Sequence, residues 1–223
     1  MDVSDHALVC GGDRISLYHL SVSPERSSLF PANQLAFSDR DDQRVDRLVR
    51  KRAIKSGLQV CLMTDGVVSD KKAARQAAEV GIKAAERAVA LKPDDAENYR
   101  VLGTLCGQAI TDLMSGLTYG PRAKDAIAKA VARAPNSSMV YVARGVGNYY
   151  LPPQLGGGLE PAVADFRKAI ELDSRNAEAY LWLGLSLRKE NKDAEARQAF
   201  EKSLSLNPNS GWAKQQLSKT PAK

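Results

Sequence analysis

His6 and Cys10, near the start of the chain, are residue types that could form a base and thiol-nucleophile pair, but their spacing alone carries almost no weight. No third group accompanies them to orient the imidazole, so the pair does not make a catalytic centre. His19 is the only other histidine. With both histidines ahead of residue 20, neither a multi-histidine metal site nor a histidine-based triad can be assembled from the rest of the chain. The cysteines, Cys10, Cys61 and Cys106, are far apart and odd in number, and no CxxC is present. They read as small buried residues of a reducing compartment, not as a disulfide framework. The triple glycine Gly156-Gly157-Gly158 invites comparison with a phosphate-binding loop. Such a loop needs a strand before it and Lys-Ser or Lys-Thr after it, and neither is present. The sequence therefore predicts no catalytic residue, no metal and no cofactor.

Charge points the same way. There are 32 Lys and Arg against 26 Asp and Glu, a formal net charge of +6, with both signs interspersed. The densest basic run is Arg47, Arg50, Lys51, Arg52 and Lys55, which reads as the wet face of a helix. It lacks the interleaved aromatics of a nucleic-acid surface, so no nucleic-acid partner is expected. No stretch approaches the ~20 apolar residues of a membrane span. The N-terminus lacks a basic segment followed by an apolar core. That predicts a cytoplasmic protein, or a periplasmic one if translation starts elsewhere.

The remaining residues are ordered by an internal repeat. Residues 177–210, AEAYLWLGLSLRKENKDAEARQAFEKSLSLNPNS, read as two short helices over 34 residues. Tyr180, Leu183, Gly184 and Leu187 recur at helical spacing in the first. Ala196, Phe200, Ser203 and Leu204 do so in the second. Asn191 and Lys192 suit the turn, and Pro208 stops the second helix. Gly184 and Ala196 are small enough for close helix approach, while Tyr180 and Phe200 fill space between units. The pattern recurs upstream in Tyr141, Arg144, Gly145, Phe166, Ala169 and Leu172, with Ser174 in place of the proline. It recurs again in Tyr99, Leu102, Gly103, Ile127, Ala130 and Pro135. A still earlier unit supplies Ala85, Ala88, Leu91 and Pro93, its first helix being expected within Arg44–Leu62.

These signatures resemble the tetratricopeptide repeat (TPR). The resemblance implies an all-α, right-handed superhelical TPR solenoid of about four helix pairs, with a C-terminal capping helix. Trp212 and Leu217 are expected to pack that cap while Lys214, Gln215 and Gln216 face water. The domain runs over residues 43–223. Residues 1–42 form a non-repeat segment, irregular or with a short hairpin around Ile15, Leu17 and His19. Repeat ends fall at Pro93, Pro135, Ser174 and Pro208, so the intervals are 42, 39 and 34 residues. The middle units are enlarged by TDLMSGLTYGPRA and LPPQLGGGLEP, both expected between the two helices of their pairs. A long first helix, a proline and a Gly-Gly before the second helix are similar to the TRAP-transporter-associated TatT and regulator-of-microtubule-dynamics subgroup.

In such arrays the first helix of each pair lines the concave face. By position this assigns Arg100, Thr104 and Gln108, then Val142, Val146, Tyr149 and Tyr150, then Leu181, Leu185 and Arg188 to a partner-binding groove. Val142, Val146, Leu181 and Leu185 stand where a carboxylate clamp would need Lys, Arg and Asn, so no clamp is expected. The implied function is a non-enzymatic scaffold that holds a protein or peptide partner. The alternative is a TatT-like accessory or carrier enclosing an apolar small molecule. A closed apolar cavity near Tyr149 and Leu185 would favour the carrier, and an open face with an exposed aromatic strip the scaffold.

Overall fold

The computed structural model describes residues 71–221. The expected first helix over Arg44–Leu62, the hairpin, the basic run, His6, Cys10 and Cys61 lie outside the described residues. Eight α-helices and no strand occur among the described residues: α1 (Lys71–Leu91), α2 (Ala96–Gln108), α3 (Leu113–Arg133), α4 (Ser138–Tyr150), α5 (Leu159–Leu172), α6 (Ala177–Lys189), α7 (Asp193–Leu206) and α8 (Gly211–Ser218). They form a helical solenoid. α2 packs on α3, α4 on α5 and α6 on α7, and the first helices also touch in succession, α2 with α4 and α4 with α6. α1 packs on α2, and α8 caps α7.

The repeat is built by size matching. In α6, a Cβ placed on Gly184 would lie 2.6 Å from Phe200 Cε1 of α7. Gly145 of α4 meets Phe166 of α5 in the same way at 2.6 Å. Phe166 and Phe200 are fully buried, as are Ala162 and Ala196 at the crossings. Burial of each phenyl ring is worth about 2–3 kcal/mol. Four second helices end at Leu91, Arg133, Leu172 and Leu206, two residues before Pro93, Pro135, Ser174 and Pro208.

Side-chain hydrogen bonds fix the joints within and between pairs. Asn176 caps α6, accepting from the Glu178 and Ala179 amides, and its Nδ2 donates to Ser138 Oγ at 2.8 Å. Ser138 Oγ in turn donates to the Ala169 carbonyl at 2.8 Å. Ser203 Oγ reaches the Ala177 carbonyl at 2.8 Å. The Glu178 and Ala179 amides are ones the helix itself leaves unpaired, while the Ala169 carbonyl, which already accepts from the Asp173 amide, takes Ser138 as a second donor.

The two insertions differ. LPPQLGGGLEP does connect α4 to α5, through a 3₁₀ turn at Pro153–Leu155. Gly156 and Gly158 take φ of 83° and 110° there, a region that favours glycine. The amides of Gly156, Gly157 and Gly158 donate to the carbonyls of Pro153, Pro152 and Asn148. The three N–H groups thus close the chain on itself and do not cradle an anion. The first insertion, by contrast, is not a connector. Asp112 caps α3 through a reciprocal box with Ser115, and from Leu113 on the inserted residues are helical. α3 therefore has 21 residues where α5 and α7 have 14. Pro121 lies inside α3, where its ring withholds an N–H from the Leu117 carbonyl. Leu117 sits on the exposed side of the helix, where water can serve that carbonyl. A proline at this point favours a loop, but the capping box and the solvated position make helix the more stable conformation.

Candidate interaction surface

The first helices α2, α4 and α6 form one layer, and the residues expected to line it fall into three groups. Val142, Leu181 and Leu185 are 2%, 6% and 6% exposed. They belong to the main core with Phe166, Trp182 and Phe200 and offer a partner almost no surface. Val146 packs against that core from its edge. Arg188 is engaged by the cap. Its Nη2 donates to Gln216 Oε1 at 2.6 Å and its Nη1 to the Gln216 carbonyl at 3.3 Å. Gln216, expected to face water, is consequently buried, because it is the acceptor for this guanidinium. Trp212 and Leu217 pack on the core as expected, and Lys214 and Gln215 are exposed.

Arg100, Thr104, Gln108, Tyr149 and Tyr150 make up the third group, which retains surface. Arg100 is clasped by Glu97 of its own helix, with Nε to Oε2 at 2.7 Å. Glu178 of α6 lies in electrostatic reach of Arg100 although far from it in sequence. Its carboxyl keeps contact with water but is raised above the ordinary range by surrounding protein, an effect opposed by the Arg100 charge and a hydrogen bond from Trp182. The layer thus carries one cation paired with Glu97 and within electrostatic reach of Glu178.

Beside these charges lies an aromatic cluster. Trp182 is 7% exposed and stands at its centre. Tyr149, Tyr150 and Trp212 meet it edge-on at 5.6, 6.0 and 5.2 Å, and Phe166 stacks at 6.2 Å. Tyr149 also meets Tyr150 edge-on at 5.1 Å, and Lys189 Nζ lies 4.5 Å from the Tyr149 ring centre. Burial raises the Tyr149 hydroxyl pKa. Tyr150 is 71% exposed, so this cluster ends in a ring held from behind and open in front. Glu97, Glu178 and Trp182 are not among the expected residues. Within α6, Glu178 precedes Leu181 by three residues and Trp182 by four, and that helical spacing is the signal that could have found both.

A separate recess of about 340 Å³ lies between α1 and α3, lined by Glu79, Ile82, Lys83, Glu86, Tyr119 and Arg122. Its charges answer one another. Glu79 accepts from Arg75 Nε and Tyr119 Oη, each at 3.0 Å, and Arg122 pairs with Glu86. These contacts hold α1 to α3. Among the described residues, no group of three or more His, Cys, Asp or Glu is placed to hold a metal ion. No helix there is long and apolar enough to cross a membrane.

Two family models match the chain, one described as "Tetratricopeptide repeat" over residues 177–210 and one as "TPR repeat" over residues 156–189. Among solved structures, a thermophilic TPR protein of Thermus thermophilus is similar at 18% identity. That likeness covers 80% of this chain and 98% of that chain, with a TM-score of 0.56. PilF of Pseudomonas aeruginosa is similar at 20% identity over 78% of this chain and 68% of that chain, with a TM-score of 0.52. A search of curated protein sequences gives no match.

Proposed function

We propose that this chain, a tetratricopeptide-repeat protein by its matched repeats and its solenoid, is a non-catalytic scaffold that binds a peptide or partner helix across α2, α4 and α6. The observation that carries this reading is Tyr150. It is 71% exposed yet supported edge-on by Tyr149 and Trp182. A large amphipathic ring already held in place loses little freedom on binding, which is why tyrosine recurs as an interface anchor. Arg100 and Glu178 supply polar recognition beside this cluster, Glu178 accepting from Trp182, where a backbone or a charged side chain can be fixed. Tyr149 and Leu185 are packed into the core, and this supports a surface scaffold over a carrier that encloses an apolar molecule.

Affinity capture from the native host tests the reading. Wild-type chain is compared with Tyr150→Ser, with Arg100→Ala, and with Ala128→Ser on the exposed side of α3. A partner retained by wild type and Ala128→Ser but lost from Tyr150→Ser and Arg100→Ala supports the assignment. A partner retained equally by all four removes it.

A further inference from the structure

The added end of α3 carries large apolar side chains into water. Leu113 is 79% exposed, Met114 70%, Leu117 66% and Ile110 41%. Leu113 and Leu117 are one turn apart on one face, with Met114 beside them. Ile110 folds over the same end, its Cγ2 lying 3.8 Å from the position of a Cβ on Gly116. Four adjoining residues of this kind mark a contact surface, whereas a single exposed leucine would not.

The path of the chain indicates what covers them. Arg75, one turn into α1, has Nη1 3.6 Å from Asp112 Oδ2, and Asp112 is the residue immediately before Leu113. The start of α1 and the apolar end of α3 are therefore neighbours. Lys71, where α1 begins, is thus close to the patch, and each residue of the preceding chain can span about 3.3 Å. Within that reach, residues 57–64, GLQVCLMT, contain Leu58, Val60, Leu62 and Met63 and no charge. A run of that composition needs an apolar surface of its own.

We propose that the apolar run 58–63 of this chain docks on Ile110, Leu113, Met114 and Leu117, so that the lengthened end of α3 seats the N-terminal part of the repeat domain. The cover is drawn from the same molecule. It accounts for an elongated second helix whose added turns are apolar, in a pair whose charged contacts with α1 are satisfied.

The full-length chain carries the test. In a Cys10→Ser background the native Cys61 is paired with Leu113→Cys, and as control with Ala128→Cys. Ala128 is exposed on the same helix, 15 residues and so about 22 Å away. Cys106 is buried, with its thiol pushed up to about 11, and does not compete. Under a thiol–disulfide buffer, the expected product is an intramolecular disulfide between Cys61 and the thiol introduced at position 113. Its yield should exceed that of the bridge from Cys61 to position 128 at least about tenfold and be independent of protein concentration. In addition, Leu113→Ser with Leu117→Ser should speed amide exchange over residues 58–63 at least about tenfold. Equal yields at the two positions, disulfide-linked dimers as the main product, or unchanged exchange in the double variant would each overturn the proposal. Dimers would assign the patch to a second copy.

Discussion

Arg144 of α4 grips Asp165 of α5 with both ends of its guanidinium, Nε at 3.0–3.1 Å from the two carboxylate oxygens and Nη2 at 2.6 Å from Oδ1. Asn148 Nδ2 adds a third donor at 2.9 Å. Arg144 occupies the place that Leu102 and Leu183 hold in the neighbouring pairs, and the Asp165 side chain is only 7% exposed. Removing the arginine strands a buried carboxylate. Arg144→Leu is expected to cost about 2–4 kcal/mol. Arg144→Leu with Asp165→Leu should recover at least half of that, because the pair is then replaced by apolar packing. Urea denaturation of the full chain, compared at constant m-value, checks both.

Glycine to alanine changes should split by position. Gly184→Ala sets a methyl against Phe200, and overpacking of that kind costs about 1–3 kcal/mol. Gly147, in α4, has no neighbouring atom within 4 Å of where a Cβ would stand. There Gly147→Ala should gain up to about 1 kcal/mol from helix propensity alone. Thermal unfolding is expected to move in opposite directions for the two variants.

Cys106 gives the fold a signature at alkaline pH. Burial raises its thiol from an ordinary 9.0 to about 11, because the thiolate would have to leave water. Below pH 9 the thiol is protonated both folded and unfolded, and its stabilising contribution is fully present. Between pH 9 and 11 the unfolded chain releases the proton while the folded chain keeps it. Stability therefore falls as pH rises through that window, by about 3 kcal/mol at most. Cys106→Ala should decline less than wild type when denaturation midpoints are followed from pH 8 to 11, the remaining decline including that of the Tyr149 hydroxyl, which burial also raises.

The cap hangs on Arg188. Without the Gln216 side chain, the Nη2 contact at 2.6 Å is lost, while the Thr220 and Phe200 contacts remain at 3.4 and 5.8 Å. Gln216→Ala is expected to cost about 1–2 kcal/mol, a charged hydrogen bond. Hydrogen exchange should show the loss concentrated in residues 211–220, with the α4–α5 pair unaffected.

How much of this was legible in the sequence depends on the range of the interaction. The helix pairs were legible because their determinants are local and periodic. Gly184, Ala196, Phe200 and Pro208 state where helices meet and stop within one 34-residue unit. Other features were not. The long α3 was hidden by Pro121, whose usual meaning is a break, and was fixed by the Asp112–Ser115 cap at its start. Val142, Leu181 and Leu185 share a periodicity with groove positions, and spacing alone does not say whether a residue faces a partner or the next repeat. Arg188 looked free because its acceptor, Gln216, lies 28 residues downstream on the cap. The electrostatic interaction of Arg100 with Glu178 reaches from α2 to α6, a separation over which no local pattern carries information.

Peptide binding by the α2, α4 and α6 layer through Tyr150 is tested most directly by calorimetry. The quantity to measure is the affinity of the full-length chain for peptides selected on it from a display library. Tyr150→Ser is predicted to weaken these peptides at least about tenfold, or roughly 1.4 kcal/mol, with Ala128→Ser unchanged. Equal affinities for wild type and Tyr150→Ser would contradict binding through this ring.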